Sequence, residues 1–313
     1  MRLEDEFKPS ILFCEVFFPY LRNEKLVVDT ITDIAEEGFY KAAEIYPIKS
    51  VKARRMLYKN VYENHIHLTQ WLTPVLNDEK LDISSINKPL REKSVERIKQ
   101  LIDSGCETGV KTISLISGHD PGPDYRLTAT DALFDSLCEL LDYMKQYPQM
   151  NLIIEPLDRG IHKNRLIGPT DEAVSLIKRV KRIYPDIGIS WDSAHTVLCG
   201  EDMMESIIKS REHIFQIHLS NAILDREDKL YGDYHMPVGS PGFLTLEVIA
   251  RLLISMLESK LFNDRKPFIS VEVHTNANED PKKTEKDCRR ILLEAWDIAC
   301  HCRSICNKKL GGI

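Results

Sequence analysis

Four segments of the 313-residue chain place an acid or an imidazole where an apolar run ends. Glu155 closes the run in MNLIIEPL, and Asp192 closes IGISWD with His195 three residues further on. His218 lies in IFQIHLS and Glu272 in FISVEVHT. Such groups are costly to bury unless something binds them. Three carboxylates brought together repel one another and raise one another's pKa unless a cation neutralises them. Three hard oxygen donors and one imidazole suit a divalent ion (Mn²⁺, Mg²⁺, Co²⁺ or Zn²⁺) with coordination sites left for a substrate. More histidines follow the same runs. His67 lies on the third, His119 follows the fourth in LISGHDPG, and Asp233 and His235 sit in YGDYHMPVGSPG. His65 and His274 read as structural or outer residues.

The elements that must position these groups alternate regularly. Apolar strand candidates are residues 11–18, 40–48, 65–73, 110–117, 150–157, 187–193, 214–220 and 268–275. Amphipathic helices fall between them, the first closing on Gly38, the third on Gly105, and two others on prolines. Strands that are apolar throughout are covered on both faces, as in a parallel sheet. Eight such units predict a (β/α)8 TIM barrel, and no G-x-G-x-x-G follows the first run to suggest a dinucleotide fold. No linker or composition break divides residues 1–313, so one domain is expected. Chemistry in such barrels sits at the C-terminal ends of the strands, where Glu155, Asp192, His218 and Glu272 would converge.

Composition narrows the function. The chain is 43% hydrophobic and 29% charged, with a formal charge of −6, and it carries no electrostatic footprint for nucleic acid or anionic membrane. No apolar run approaches the ~18 residues that span a bilayer, and MRLEDEFKPS lacks the layout of a signal peptide, so a cytoplasmic location is expected. The eight cysteines are scattered. Cys300, Cys302 and Cys306 cluster with His301, but at helical spacing and without a second ligand pair, which favours a reduced C-terminal helix over a zinc knuckle.

EPLDR (155–159), WDSAH (191–195), IHLSN (217–221), the Asp-x-His and Pro-x-Gly-x-x-Gly of DYHMPVGSPG, and Glu272 together resemble the xylose-isomerase-like TIM barrels. That superfamily includes sugar epimerases and isomerases, inosose dehydratases and family-2 abasic-site endonucleases, and the resemblance covers nearly the whole chain. In its ketose 3-epimerases the matching residues bind one divalent metal. This implies Glu155, Asp192, His218 and Glu272 as ligands, with Mn²⁺ first among the candidate ions. It further implies Glu155 and Glu272 as the proton-transfer pair, and His195 as a catalytic histidine touching substrate or metal. The endonucleases keep three zinc ions on this rim, and their further ligands match His67, His119, His195, Asp233 and His235. Against that branch, EPLDR is close to the epimerase form, where the nucleases continue the glutamate with Asn-Thr. Basic loops with interleaved aromatics are also lacking. Ser240 departs from both branches, which have an acidic residue between the loop glycines.

The expectation is a divalent-metal-dependent isomerase or epimerase that abstracts a proton beside the carbonyl of a sugar or keto-polyol. Lyases of the same group begin with the same abstraction and then expel a leaving group, so the sequence leaves elimination open. His119, His195, His235, Trp71 and Arg159 are the expected substrate contacts. Trp71 and Trp191 are placed to stack on a sugar ring, and Arg159 to meet a phosphate or hydroxyl. Glu15 and Glu44 lie near strand ends and are assigned no catalytic role. The expected partner is a small molecule, not nucleic acid or membrane, and homo-oligomerisation is left open.

Overall fold

The strand Ile187–Asp192 is buried at every residue, as its unbroken apolar pattern requires of a strand covered on both faces. It is β6 of a closed parallel barrel in the computed structural model, which describes residues 1–262 and 265–310, with side chains through residue 303. The other strands are β1 (Lys8–Ile11), β2 (Ala42–Ile45), β3 (His67–Trp71), β4 (Val110–Leu115), β5 (Asn151–Ile154), β7 (Ile214–Ile223), β8 (Gly232–Met236) and β9 (Phe268–Glu272). Strands β1 to β7 pair in sequence, β7 pairs with β9, and β9 closes the ring on β1, all in parallel. This is a (β/α)8 TIM barrel. β8 lies outside the ring, folded back antiparallel on the long β7.

The surrounding helices are α1 (Phe13–Val16), α2 (Glu24–Glu37), α3 (Val51–Asn64), α4 (Thr73–Asp78), α5 (Lys88–Thr108) and α6 (Arg126–Met144). They continue with α7 (Thr170–Lys181), α8 (Ser193–Leu198), α9 (Met203–Ser210), α10 (Leu246–Glu258) and α11 (Pro281–Leu310). Local signals set their ends. Asn23 accepts the Leu26 N–H at the start of α2, and Gly38 ends it at φ 76°, where a glycine has no Cβ to clash. α7 carries Asp171 and Glu172 in its first turn and Lys178, Arg179 and Lys181 in its last, each set opposing the helix dipole. No described helix is long and apolar enough to cross a membrane.

Two sequence expectations are corrected here. The first apolar run forms a strand only up to Ile11; Phe13–Val16 then turn as α1. All four residues of that turn are buried, because the run packs over the end of the barrel as one helical turn instead of extending. Gly105 does not end its helix. α5 continues to Thr108, and Gly109 takes the left-handed cap at φ 86°. Gly105 instead lets α5 approach β3, since a Cβ there would lie 3.3 Å from the Gln70 amide. The strand β8 had no apolar run to announce it. Cys300 and Cys302 lie on α11 as expected, whereas the Cys306 side chain falls outside the described residues. The seven described cysteines form no disulfide.

The turn that follows β8 is held by one side chain. The Asn221 amide donates to the carbonyls of Pro237 at 2.8 Å and Gly239 at 2.9 Å, and its oxygen accepts the Leu244 N–H at 2.7 Å. Gly242 sits against that amide, and a Cβ there would lie 2.3 Å from it. Gly242→Ala is therefore expected to displace Asn221 and cost about 1–3 kcal/mol of stability, measured by denaturant unfolding.

A candidate metal centre at the barrel rim

Barrel register brings the four strand-end residues together. Asp192 pairs in register with His218, and Glu272 pairs with Ser220 two residues beyond it, on the same face of β7. Glu155 follows β5 and continues its ladder through a hydrogen bond from its N–H to Leu115. One donor atom from each of Glu155, Asp192, His218 and Glu272 lies within 4.8 Å of all the others. All four residues are at most 3% exposed. His218 Nδ1 is 3.1 Å from Glu155 Oε1 and 3.3 Å from Glu272 Oε2. Donors at about 2.0–2.2 Å around one divalent ion stand roughly 3 Å apart, so this set fits such an ion.

A second layer orients these groups. His218 Nε2 contacts Glu44 Oε1 at 2.7 Å, which turns Nδ1 toward the other donors. Glu44 is wholly buried, and its other oxygen accepts the Gln216 amide at 2.9 Å. Gln216 and His218 point inward together because they are two residues apart on one strand. Asp192 Oδ1 caps α8 by accepting the His195 N–H at 2.8 Å, which fixes the carboxylate. The Trp71 indole donates to Glu155 Oε2 at 3.4 Å and stacks on Tyr46.

Beside this set lies a second group. His195 Nδ1 is 3.3 Å from Asp158 Oδ2, and its Nε2 is 3.5 Å from Asp233 Oδ2. His235 Nε2 is 3.1 Å from Asp233 Oδ2 and 3.4 Å from Glu272 Oε1, and its Nδ1 is 3.4 Å from Glu15 Oε2. β8 carries Asp233 and His235 to this position. His274 contacts Glu15 and so supports His235 from outside, as expected of an outer residue.

Electrostatics follow from crowding carboxylates in a dry rim. Burial pushes Asp192 up to about 7; His195 opposes the shift, while Glu272, Asp233 and Glu155 add to it. Burial alone would lower His195, but Asp192, Asp158 and Asp233 raise it to about 9. Burial would likewise lower His218, but Glu44 and Glu272 outweigh it and hold the imidazole well above its ordinary value. Burial would raise Glu15, yet His235 and His274 hold it at about 2.

Not every expected residue arrives at this rim. His67 opens β3, so it lies at the opposite, N-terminal end of the barrel, where it contacts Thr112 at 2.8 Å and packs near Phe215 and Phe268. Burial lowers its pKa to about 3. His119 is exposed on the loop after β4, in a bridge with Arg165. Arg159 turns away to Glu172 at 2.8 Å rather than toward the pocket. Trp191 packs into the barrel wall and donates to Ser206 at 2.9 Å. Sequence reasoning gave no role to Glu44, Gln216, Asp158 or Lys163. An acid inside the apolar run YKAAEIYPI was the available signal for Glu44; Lys163 had none.

Residues 33–296 match the family described as the xylose isomerase-like TIM barrel, and the chain belongs to that family. Its fold is similar to that of a D-tagatose 3-epimerase-like protein, with a TM-score of 0.68 at 17% identity over 95% of this chain and 98% of the other. It is also similar to the IolI protein with a bound zinc atom, with a TM-score of 0.69 at 16% identity, covering 92% and 98%. A family-2 AP endonuclease from Brucella melitensis aligns with a TM-score of 0.59 at 16% identity, covering 89% and 96%. No curated protein matches the chain.

Two outcomes are expected of this site. Glu44→Ala removes the partner of His218 Nε2 and should weaken Mn²⁺ binding roughly 10–100-fold, measured by calorimetric titration. Asp192 and His195 hold protons in the fold that the unfolded chain releases near 3.8 and 6.5. Their stabilisation is therefore present at low pH and lost as pH rises through about 7 and about 9. Without added metal, the thermal midpoint should fall between pH 6.5 and 9, and saturating Mn²⁺ should raise it most at the alkaline end. A midpoint indifferent to Mn²⁺ across this range would contradict the assignment.

Proposed function

We propose that the chain is a divalent-metal-dependent isomerase or epimerase that moves a proton at the carbon beside the carbonyl of a sugar or keto-polyol. The observation that carries this reading is how the two glutamates divide their oxygens. Glu155 turns Oε1 and Glu272 turns Oε2 toward His218 Nδ1. The other two oxygens, Glu155 Oε2 at the Trp71 indole N–H and Glu272 Oε1 at His235 Nε2, are the ones we assign to proton exchange with a substrate. A divalent ion held by the four donors, Mn²⁺ by preference for their hard oxygens, would polarise a carbonyl and a neighbouring hydroxyl and so acidify the intervening carbon-bound proton. His195, held by Asp158, stands ready to orient or protonate a substrate oxygen, and Trp71 supplies an apolar wall.

Elimination from the same carbon is the second reading, favoured by His195, whose pKa of about 9 keeps it protonated as an acid for a leaving group. A trinuclear phosphodiesterase has less support. The candidate ligands His67 and His119 lie away from the rim cluster, and among the described residues one set of donors converges.

Glu272→Gln should reduce solvent deuterium incorporation into a ketose substrate by roughly 10²–10⁴-fold while circular dichroism stays unchanged. Undiminished exchange in a folded variant would exclude Glu272 as the acid or base.

A further inference from the structure

Asp233 is fully buried, and three nitrogens surround one of its oxygens. His235 Nε2 lies 3.1 Å from Oδ2, Lys163 Nζ 3.2 Å and His195 Nε2 3.5 Å. The other oxygen is already occupied, accepting the His235 N–H at 3.0 Å and the Ser220 hydroxyl at 3.4 Å. One aspartate and two histidines are donor types that hold a divalent ion. Yet the donors that converge among the described residues are those of the first set alone.

Lys163 makes the difference. An ammonium has three donors and no acceptor, so it neutralises a carboxylate without being able to ligate a metal. Its position is fixed from both ends. Asp158 accepts the backbone N–H groups of His162 at 2.6 Å and Lys163 at 3.1 Å, and Nζ also donates to the Asp233 carbonyl at 3.3 Å. The His162 ring packs on Tyr234 with centroids 4.5 Å apart. A Cβ at Gly232 would lie 3.1 Å from that ring, so this glycine lets the loop after β5 sit against β8. A divalent ion on Asp233 Oδ2, at about 2.0–2.2 Å, would stand within roughly 5 Å of the ammonium in a poorly screened pocket.

We propose that Lys163 is a built-in cation that fills the place of a second metal ion beside Asp233, so that the chain takes one ion. The inference rests on the metal reading of the Glu155, Asp192, His218 and Glu272 set. It leaves the His195 and His235 imidazoles available to a substrate rather than spent as ligands.

The test is a metal count by plasma mass spectrometry after equilibration with excess Mn²⁺, and separately Zn²⁺, followed by gel filtration. Wild type and K163R should carry one ion per chain. K163Q and K163M should carry two, with electron paramagnetic resonance showing coupled Mn²⁺ pairs. K163M keeps the apolar stem and serves if K163Q does not fold. Two or more ions in wild type would overturn the proposal, as would one ion in both neutral variants when circular dichroism shows them folded. Failure of the underlying metal reading looks different: wild type would then carry none.

Discussion

The rim of this barrel depends on one constraint, that carboxylates shut away from water must be neutralised. Glu15, Glu44, Glu155, Asp158, Asp192, Asp233 and Glu272 are each no more than 6% exposed, and they are gathered at one end of the barrel. Uncompensated charges so buried would be strongly destabilising. Their compensation comes in three forms. His195, His218 and His235 lie among them as proton acceptors, Lys163 offers a permanent charge to Asp233, and the four-residue set offers a divalent ion its ligands. Each form occupies a different place in the cluster.

The barrel makes this crowding possible. A lone strand end is free to let its acid swing into water. Eight strands locked in register fix where each carboxylate emerges. The layer beneath the donors then selects atoms as well as residues. Glu44 and Gln216 decide which nitrogen of His218 faces the other donors, and Trp71 takes one oxygen of Glu155. The hairpin of β7 and β8 adds the outer wall, carrying Asp233 and His235 over the rim.

Much of this was legible in the sequence. Once alternating apolar runs imply a parallel barrel, any polar residue ending a run falls on the same rim, which is why Glu155, Asp192, His218 and Glu272 could be grouped from the sequence alone. The same logic fails for His67. It begins its strand rather than ending it, and five strand residues at roughly 3.3 Å each carry the chain from one end of the barrel to the other. Lys163 and Asp158 were unreadable for a different reason. They act from an irregular loop, IHKNR and its flanks, whose path is set by hydrogen bonds to Asp158 and by packing on Tyr234, neither of which leaves a periodic trace. Asn221 likewise gave no sign that it would hold the glycine-rich turn.

Crystals soaked in Mn²⁺ and measured at the manganese absorption edge would show whether Glu155, Asp192, His218 and Glu272 hold a divalent ion. Binding by this set requires an anomalous peak among these four side chains, within about 2.0–2.4 Å of one donor from each. A map without a peak there, or with its strongest peak elsewhere, would contradict it.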